Sequence, residues 1–265
     1  MERLRFGTYL APNVLPVYSA IAEHVGRRLG IETHLVVETS YESCERDEND
    51  VCFVCSLPYV TLERRGVSPA EPVAAPVLQG ARYGGRPIYF SDVIVHRDSE
   101  FRSFADLRGA SWAFNEPLSH SGYGITRYHL VRLGETSGFF GRVVEAGFHE
   151  ESIRMVARGE VDASAIDSQV LAVALRDDPS LRERLRLVDA LGPSTIQPVA
   201  VSKRLPTELR EAVRGALVEM HVDAEARRRL ARGLVERFVA VGPSDYDDIR
   251  MMLDAVEAAG FTVLR

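Results

Sequence analysis

Val51-Cys52-Phe53-Val54-Cys55 is a short, uninterrupted apolar run. A strand that is apolar on both sides has to be covered on both faces. The covering comes from helical stretches on either side of such runs. Arg3 to Tyr9 reads as a strand, and the helix from Pro16 to Leu29 follows it, with Ile21, Val25 and Leu29 on one stripe and Gly30 as its stop. Thr33 to Glu38 is again β-rich. This alternation predicts an α/β fold with helices on both faces of a mainly parallel sheet.

Further strands are expected at Val73–Gln79 and Ile88–His96. From Phe101 a second α/β unit begins. Its strands are predicted at Ser111–Phe114, Val143–Ala146, Asp162–Ile166, Leu185–Val188 and Ile196–Val201, and Pro206 opens a late helix that begins a helical tail to Arg265. The chain therefore divides into a first lobe of residues 1–88 and 197–265 and a second of 89–196. Extended crossings near Pro87–Asp92 and Gly192–Pro198 would make a hinge, and a hinge implies a cleft.

Composition excludes several functions. With 32 Lys and Arg against 38 Asp and Glu, the formal charge is −6, which disfavours nucleic acid as a partner. No run approaches the ~18 apolar residues of a membrane span. The start, Met1-Glu2-Arg3-Leu4-Arg5-Phe6, lacks a basic region followed by an apolar core. The expectation is a periplasmic or extracytoplasmic protein if a signal was removed, and a cytoplasmic one otherwise. The Cys52-x-x-Cys55 pair sits in an apolar run, so it reads as buried thiols and not as a redox or metal site. No Gly-rich nucleotide loop, HExxH or GxSxG is present, so neither a catalytic residue nor a cofactor or metal is assigned.

The richest segment is Asn115-Glu116-Pro117-Leu118-Ser119-His120-Ser121-Gly122-Tyr123, between a strand and a helix. The first N–H groups of a helix lack internal partners and carry partial positive charge. Ser119 and Ser121 add hydroxyls, and Gly122 permits close approach. An anion seat and an ordinary N-cap both fit this pattern. Ser56, Thr8 and Tyr9 fall at the carboxyl ends of strands, where open α/β sheets bind ligands. Tyr59 reads equally as core. Asp92, Glu116 and Asp167 suit a ligand that keeps a proton or carries an amine.

The chain resembles the phosphate, phosphite and phosphonate substrate-binding proteins of ABC transporters, within the type II periplasmic-binding-protein superfamily. The resemblance is carried in order by Ser56-Leu57-Pro58-Tyr59-Val60, Tyr89-Phe90-Ser91-Asp92-Val93-Ile94-Val95, Asp106-Leu107-Arg108-Gly109, Ser119-His120-Ser121-Gly122-Tyr123, Ala146-Gly147-Phe148-His149 and Gly159-Glu160-Val161-Asp162-Ala163. It implies a two-lobed fold in which each lobe is a mixed sheet flanked by helices, joined by a two-segment hinge. It also implies capture of a small oxyanion, an ABC permease as partner and a monomer. By resemblance, Ser119, His120, Ser121 and Gly122 grip the ligand, with Tyr89, His149 and Asp167 nearby. His120 stands where the family commonly has Thr. A cytosolic enzyme or a ligand-sensing module on the same fold is the alternative.

Overall fold

The computed structural model describes residues 3–67 and 69–264. Met1, Glu2 and Arg265, which figured in the reading of the two ends, lie outside them. The chain forms two compact units: Met1–Ile88 with Thr195–Asp247, and Tyr89–Ser194 with Asp248–Arg265.

In the first unit β1 (Arg3–Thr8), α1 (Leu15–Leu29), β2 (Glu32–Val37), α2 (Glu42–Glu45), β3 (Val51–Phe53), α3 (Ser56–Arg64) and β4 (Ala70–Leu78) follow in order. α1 ends where Gly30 takes a left-handed conformation, φ 67°, as expected of a helix-terminating glycine. The second unit carries β5 (Ile88–His96), β6 (Ser111–Phe114), α4 (Ile125–Arg132), β7 (Arg142–Glu145), α5 (His149–Ala157), β8 (Ala163–Asp167), α6 (Ser168–Asp177), α7 (Leu181–Arg184) and β9 (Leu185–Thr195). The first unit is then completed by β10 (Val199–Ser202), α8 (Thr207–Val218), α9 (Ala224–Ala231) and β11 (Val235–Ala240), and α10 (Asp247–Ala258) closes the chain.

Both sheets are mixed. The first runs β11-β4-β10-β3-β1-β2; β1 pairs in parallel with β2 and β3, whereas β10 is antiparallel to β3 and β4. The second runs β7-β6-β8-β5-β9. There β6 is parallel to β7 and β8, and β5 is antiparallel to β8. The exits of β6, β7 and β8 therefore share one sheet edge with the start of β5, and this edge holds most of the candidate residues.

The apolar run at Val51 is shorter as a strand than expected. β3 stops at Phe53, and Cys55 caps α3 with extended backbone. All three cysteines are buried, and none forms a disulfide. The stretch 41–50 holds the short α2, and its Ser43, Cys44, Asn49 and Asp50 are buried.

The C-terminal segment corrects the expected lobe assignment. Residues 248–265 belong to the second unit, making a third passage of the chain between the units. The cause is packing. Met252, Val256, Phe261 and Leu264 join the core built on Phe104, Trp112, Phe139 and Phe140. In that core Trp112 stacks on Phe140 at 4.6 Å and Phe104 on Phe139 at 5.4 Å. Arg127 on α4 also donates to the Phe261 carbonyl at 3.1 Å. Phe261→Ala should accordingly destabilise the protein by about 3–5 kcal/mol, the usual cost of emptying a buried aromatic site. Denaturant unfolding checks this; a loss under about 1 kcal/mol would mean the tail is not part of that core.

Candidate functional site

β6 delivers the chain to Asn115 at the sheet edge. The backbone then turns through an extended Ser119, φ −76° and ψ 130°, into a widened π turn, His120–Gly124, that continues as α4. Gly124 N–H donates to the Ser119 carbonyl at 3.0 Å, and Ile125 N–H to that of His120. Each bond spans five residues instead of four, so the first-turn amides precede the helical ladder. Ser119 Oγ accepts the Gly122 N–H at 3.1 Å. The cap and the serine-rich motif are thus the same residue.

Gly122 is required by its neighbour. A Cβ there would lie 2.0 Å from Asn115 Oδ1 and 3.3 Å from the Asn115 nitrogen. Asn115 also accepts the Gly147 N–H on its carbonyl at 2.8 Å, and Phe114 that of Ala146 at 2.8 Å. These bonds carry the exit of β7 alongside that of β6 and bring the start of α5 to the turn.

The result is a buried polar row. Ser119 Oγ and Ser121 Oγ are 3.2 Å apart, and Ser121 Oγ is 2.7 Å from His149 Nε2. His120 points elsewhere: its Nε2 is 3.0 Å from Ser194 Oγ, and its ring meets the fully buried Tyr89 edge-on at 6.4 Å. Ser194 was not foreseen. It lies two residues beyond Gly192, in the expected crossing, and only the fold brings it to His120. Asn115 was likewise missed as a support.

Burial keeps both imidazoles neutral, lowering each pKa to about 3. For His120 the nearby Arg127 adds to the effect. The half-buried Glu116 carboxyl is raised, by burial first and then by Glu145. Asp167 caps α6, accepting from Gln169 N–H at 2.8 Å and Val170 N–H at 3.3 Å. Ser168 Oγ accepts the Phe90 N–H at 3.2 Å, and Ser91 lies opposite Asp167 in register. Tyr89, Asp167 and the turn thus share the sheet edge. Asp92 is buried within β5, opposite Ile166.

Four candidates belong to the first unit. Thr8 and Ser56 are buried at the exits of β1 and β3. Thr8 Oγ1 accepts the Leu10 N–H at 3.3 Å, whereas Ser56 Oγ has no hydrogen-bond partner among the described residues. Tyr9 is engaged within its own unit: its hydroxyl is 2.6 Å from Ser43 Oγ, it accepts from Asn49 Nδ2 at 3.1 Å, and its ring stacks on Tyr41 at 4.7 Å. Tyr59 packs edge-on against Tyr246 at 5.4 Å. Among the described residues no group of three or more His, Cys, Asp or Glu could hold a metal, and no helix is long and apolar enough to cross a membrane.

Two mixed sheets flanked by helices make the fold of the type II periplasmic binding proteins. More narrowly, the chain belongs to the family of ABC-transporter phosphonate periplasmic substrate-binding proteins, whose profile matches residues 8–246. Similar solved structures support the fold. A binding-protein component of an ABC phosphonate transporter from Pseudomonas aeruginosa is 18% identical, with a TM-score of 0.83 over 97% of this chain and 87% of that one. PhnD1 from Prochlorococcus marinus, solved with methylphosphonate, is 16% identical, with a TM-score of 0.82 over 97% and 98%. A curated relative, membrane-bound lytic murein transglycosylase F of Photobacterium profundum, is 26% identical over 214 residues, 78% of this chain; the chain spans 39% of that relative's length.

The two neutral histidines set an acid limit on stability. A histidine in the unfolded chain titrates near 6.5, while His120 and His149 stay neutral in the fold down to about pH 3. As pH falls below 6.5 the unfolded state binds protons that the native state refuses, so stability is intact above that value and is lost toward pH 3. At pH 5 the loss should be about 2 kcal/mol per histidine. Urea titrations at pH 7.5 and 5 should show it, and His149→Gln should lessen it. An equal loss in the variant would contradict a buried neutral His149.

Proposed function

We propose that this chain captures a small tetrahedral oxyanion, a phosphonate or phosphate, at the turn Ser119–Gly122 of its second unit. The reading is carried by the buried row Ser119–Ser121–His149 at the start of a helix. Hydroxyl hydrogens, first-turn amides and the positive end of α4 suit an anion without a fixed cation. Membership of a phosphonate-binding family supports the choice of ligand, as does the methylphosphonate in the Prochlorococcus structure.

In this proposal Ser119 and Ser121 hold the phosphoryl oxygens, Gly122 permits close approach to the turn, and His149 fixes the Ser121 hydroxyl. His120 contributes its backbone, because its ring is turned to Ser194 and Tyr89. Tyr89 and Asp167 border the seat. In the first unit, Ser56 Oγ has no hydrogen-bond partner among the described residues. The protein binds its ligand without chemical change, works beside an ABC permease, and acts in the periplasm, as its family does. A neutral histidine with a pKa near 3 is a poor general base, which favours binding over catalysis.

Calorimetry with methylphosphonate and with inorganic phosphate tests the assignment on protein stripped of ligand. Ser121→Ala should weaken binding of the preferred anion by roughly ten- to hundredfold, the expected cost of losing a hydrogen bond to a charged group. Ser119→Ala should cost at least as much, since it also removes the Gly122 cap. Unchanged affinity in both variants would refute the site.

A further inference from the structure

The end of the second sheet away from the seat carries arginines that anion capture leaves unexplained. β5 starts at the edge that holds the seat and ends at His96. Arg97 N–H donates to the Arg184 carbonyl at 2.7 Å, so the start of β9 lies beside the end of β5. Two guanidiniums converge there. Arg102 Nη1 donates to the Ser99 carbonyl at 2.8 Å and to the Phe101 carbonyl at 3.1 Å. Arg186 Nη2 donates to the same two oxygens, at 3.0 and 2.8 Å. Arg97 Nη2 reaches the Arg182 carbonyl at 2.7 Å.

Among the described residues, no carboxylate pairs with the side chain of Arg97, Arg102, Arg182 or Arg186. A guanidinium has five N–H donors. Arg102 and Arg186 each give one nitrogen to the shared carbonyls and keep Nε and the other Nη for a ligand. The acids around them do not fill that place. Asp106 accepts the Arg102 and Ser103 amides at 2.8 Å each, and Asp178 takes Ser180 and Arg184. Asp98, Glu100 and Glu183 are exposed, with Asp98 3.9 Å from His96 Nδ1. Two like charges drawn to the same two oxygens repel each other, and an anion laid against both relieves that repulsion.

Arg97, Arg102 and Arg182 are exposed, and Arg186 is half-buried. A single carboxylate held at such a surface gains little, because solvent screens it. Several carboxylates on one chain act together. β9 is an edge strand of its sheet, and an extended segment can lie along such an edge. A flat anionic membrane would meet Asp98, Glu100 and Glu183 as well as the arginines. An extended segment instead places its acids on the guanidiniums and passes between the others. We propose that this arginine cluster docks an extended acidic segment of a partner protein, on the end of the second unit away from the anion seat.

The test is fluorescence anisotropy of a labelled hexaglutamate peptide with the full chain at low salt, where surface charge is least screened. The peptide should bind, and Arg102→Gln with Arg186→Gln should weaken it at least about tenfold, the worth of one charged hydrogen bond. Arg46→Gln with Arg65→Gln removes the same charge from the first unit, where both arginines are paired with acids, and should leave binding unchanged. Should the glutamine pair fail to fold, Arg102→Lys with Arg186→Lys keeps the charge but loses the planar fork and should also weaken the peptide; unchanged affinity there would overturn the proposal. No binding, an equal loss in both glutamine pairs, or competition by methylphosphonate would overturn it as well. Citrate binding as tightly as the peptide would assign the cluster to a free polycarboxylate, and tighter binding to vesicles of anionic phospholipid would assign it to a membrane; either result would overturn a protein partner.

Discussion

One hydrogen bond organises the candidate site: the Gly122 amide donating to Ser119 Oγ. The side chain of Ser119 takes that amide, and the first backbone bonds of the turn come from Gly124 and Ile125, each over five residues. The widened turn leaves room for Asn115 against Gly122, where a side chain would collide. Asn115 in turn accepts from Gly147, which sets the chain two residues before His149. The cap, the glycine and the distant histidine are therefore one arrangement, and the short Ser121–His149 contact is its outcome.

The sheet makes this possible at low cost. β6, β7 and β8 run parallel, so their exits gather at one edge. β5 runs against β8 and places Tyr89 and Phe90 at that same edge. Behind the edge the aromatic cluster of Phe104, Trp112, Phe139 and Phe140 fixes the layer beneath α4. The C-terminal segment braces the other end: Tyr123, inside the widened turn, accepts the Leu264 N–H at 3.3 Å. The proposed anion seat is thus backed by close-packed core side chains.

Much of this was legible in the sequence, for definable reasons. Ser111–Phe114 and Ile88–His96 were recognised as strands over the very residues that form β6 and β5, because continuous apolar runs bounded by polar turns leave few alternatives. The serines and Gly122 stood out because caps and close approaches demand particular residue types. What was hidden depended on tertiary placement. Nothing local marks Ser194 as the partner of His120, which lies 74 positions away. The fate of residues 248–265 was equally invisible, since an amphipathic helix shows its apolar stripe but not the core it will join. The end of β3 was misjudged because Val54 and Cys55 are as apolar as the strand before them, and the turn into α3 leaves no mark in hydrophobicity.

The central claim is that the Ser119–Gly122 turn holds the anion, and a crystal structure of the protein grown with methylphosphonate addresses it directly. The account predicts phosphonate oxygens within hydrogen-bonding distance of Ser119 Oγ, Ser121 Oγ and the first-turn amides, about 2.5–3.2 Å away, with the Ser121–His149 contact kept. Methylphosphonate bound elsewhere on the protein, with this turn in contact only with solvent, would contradict it.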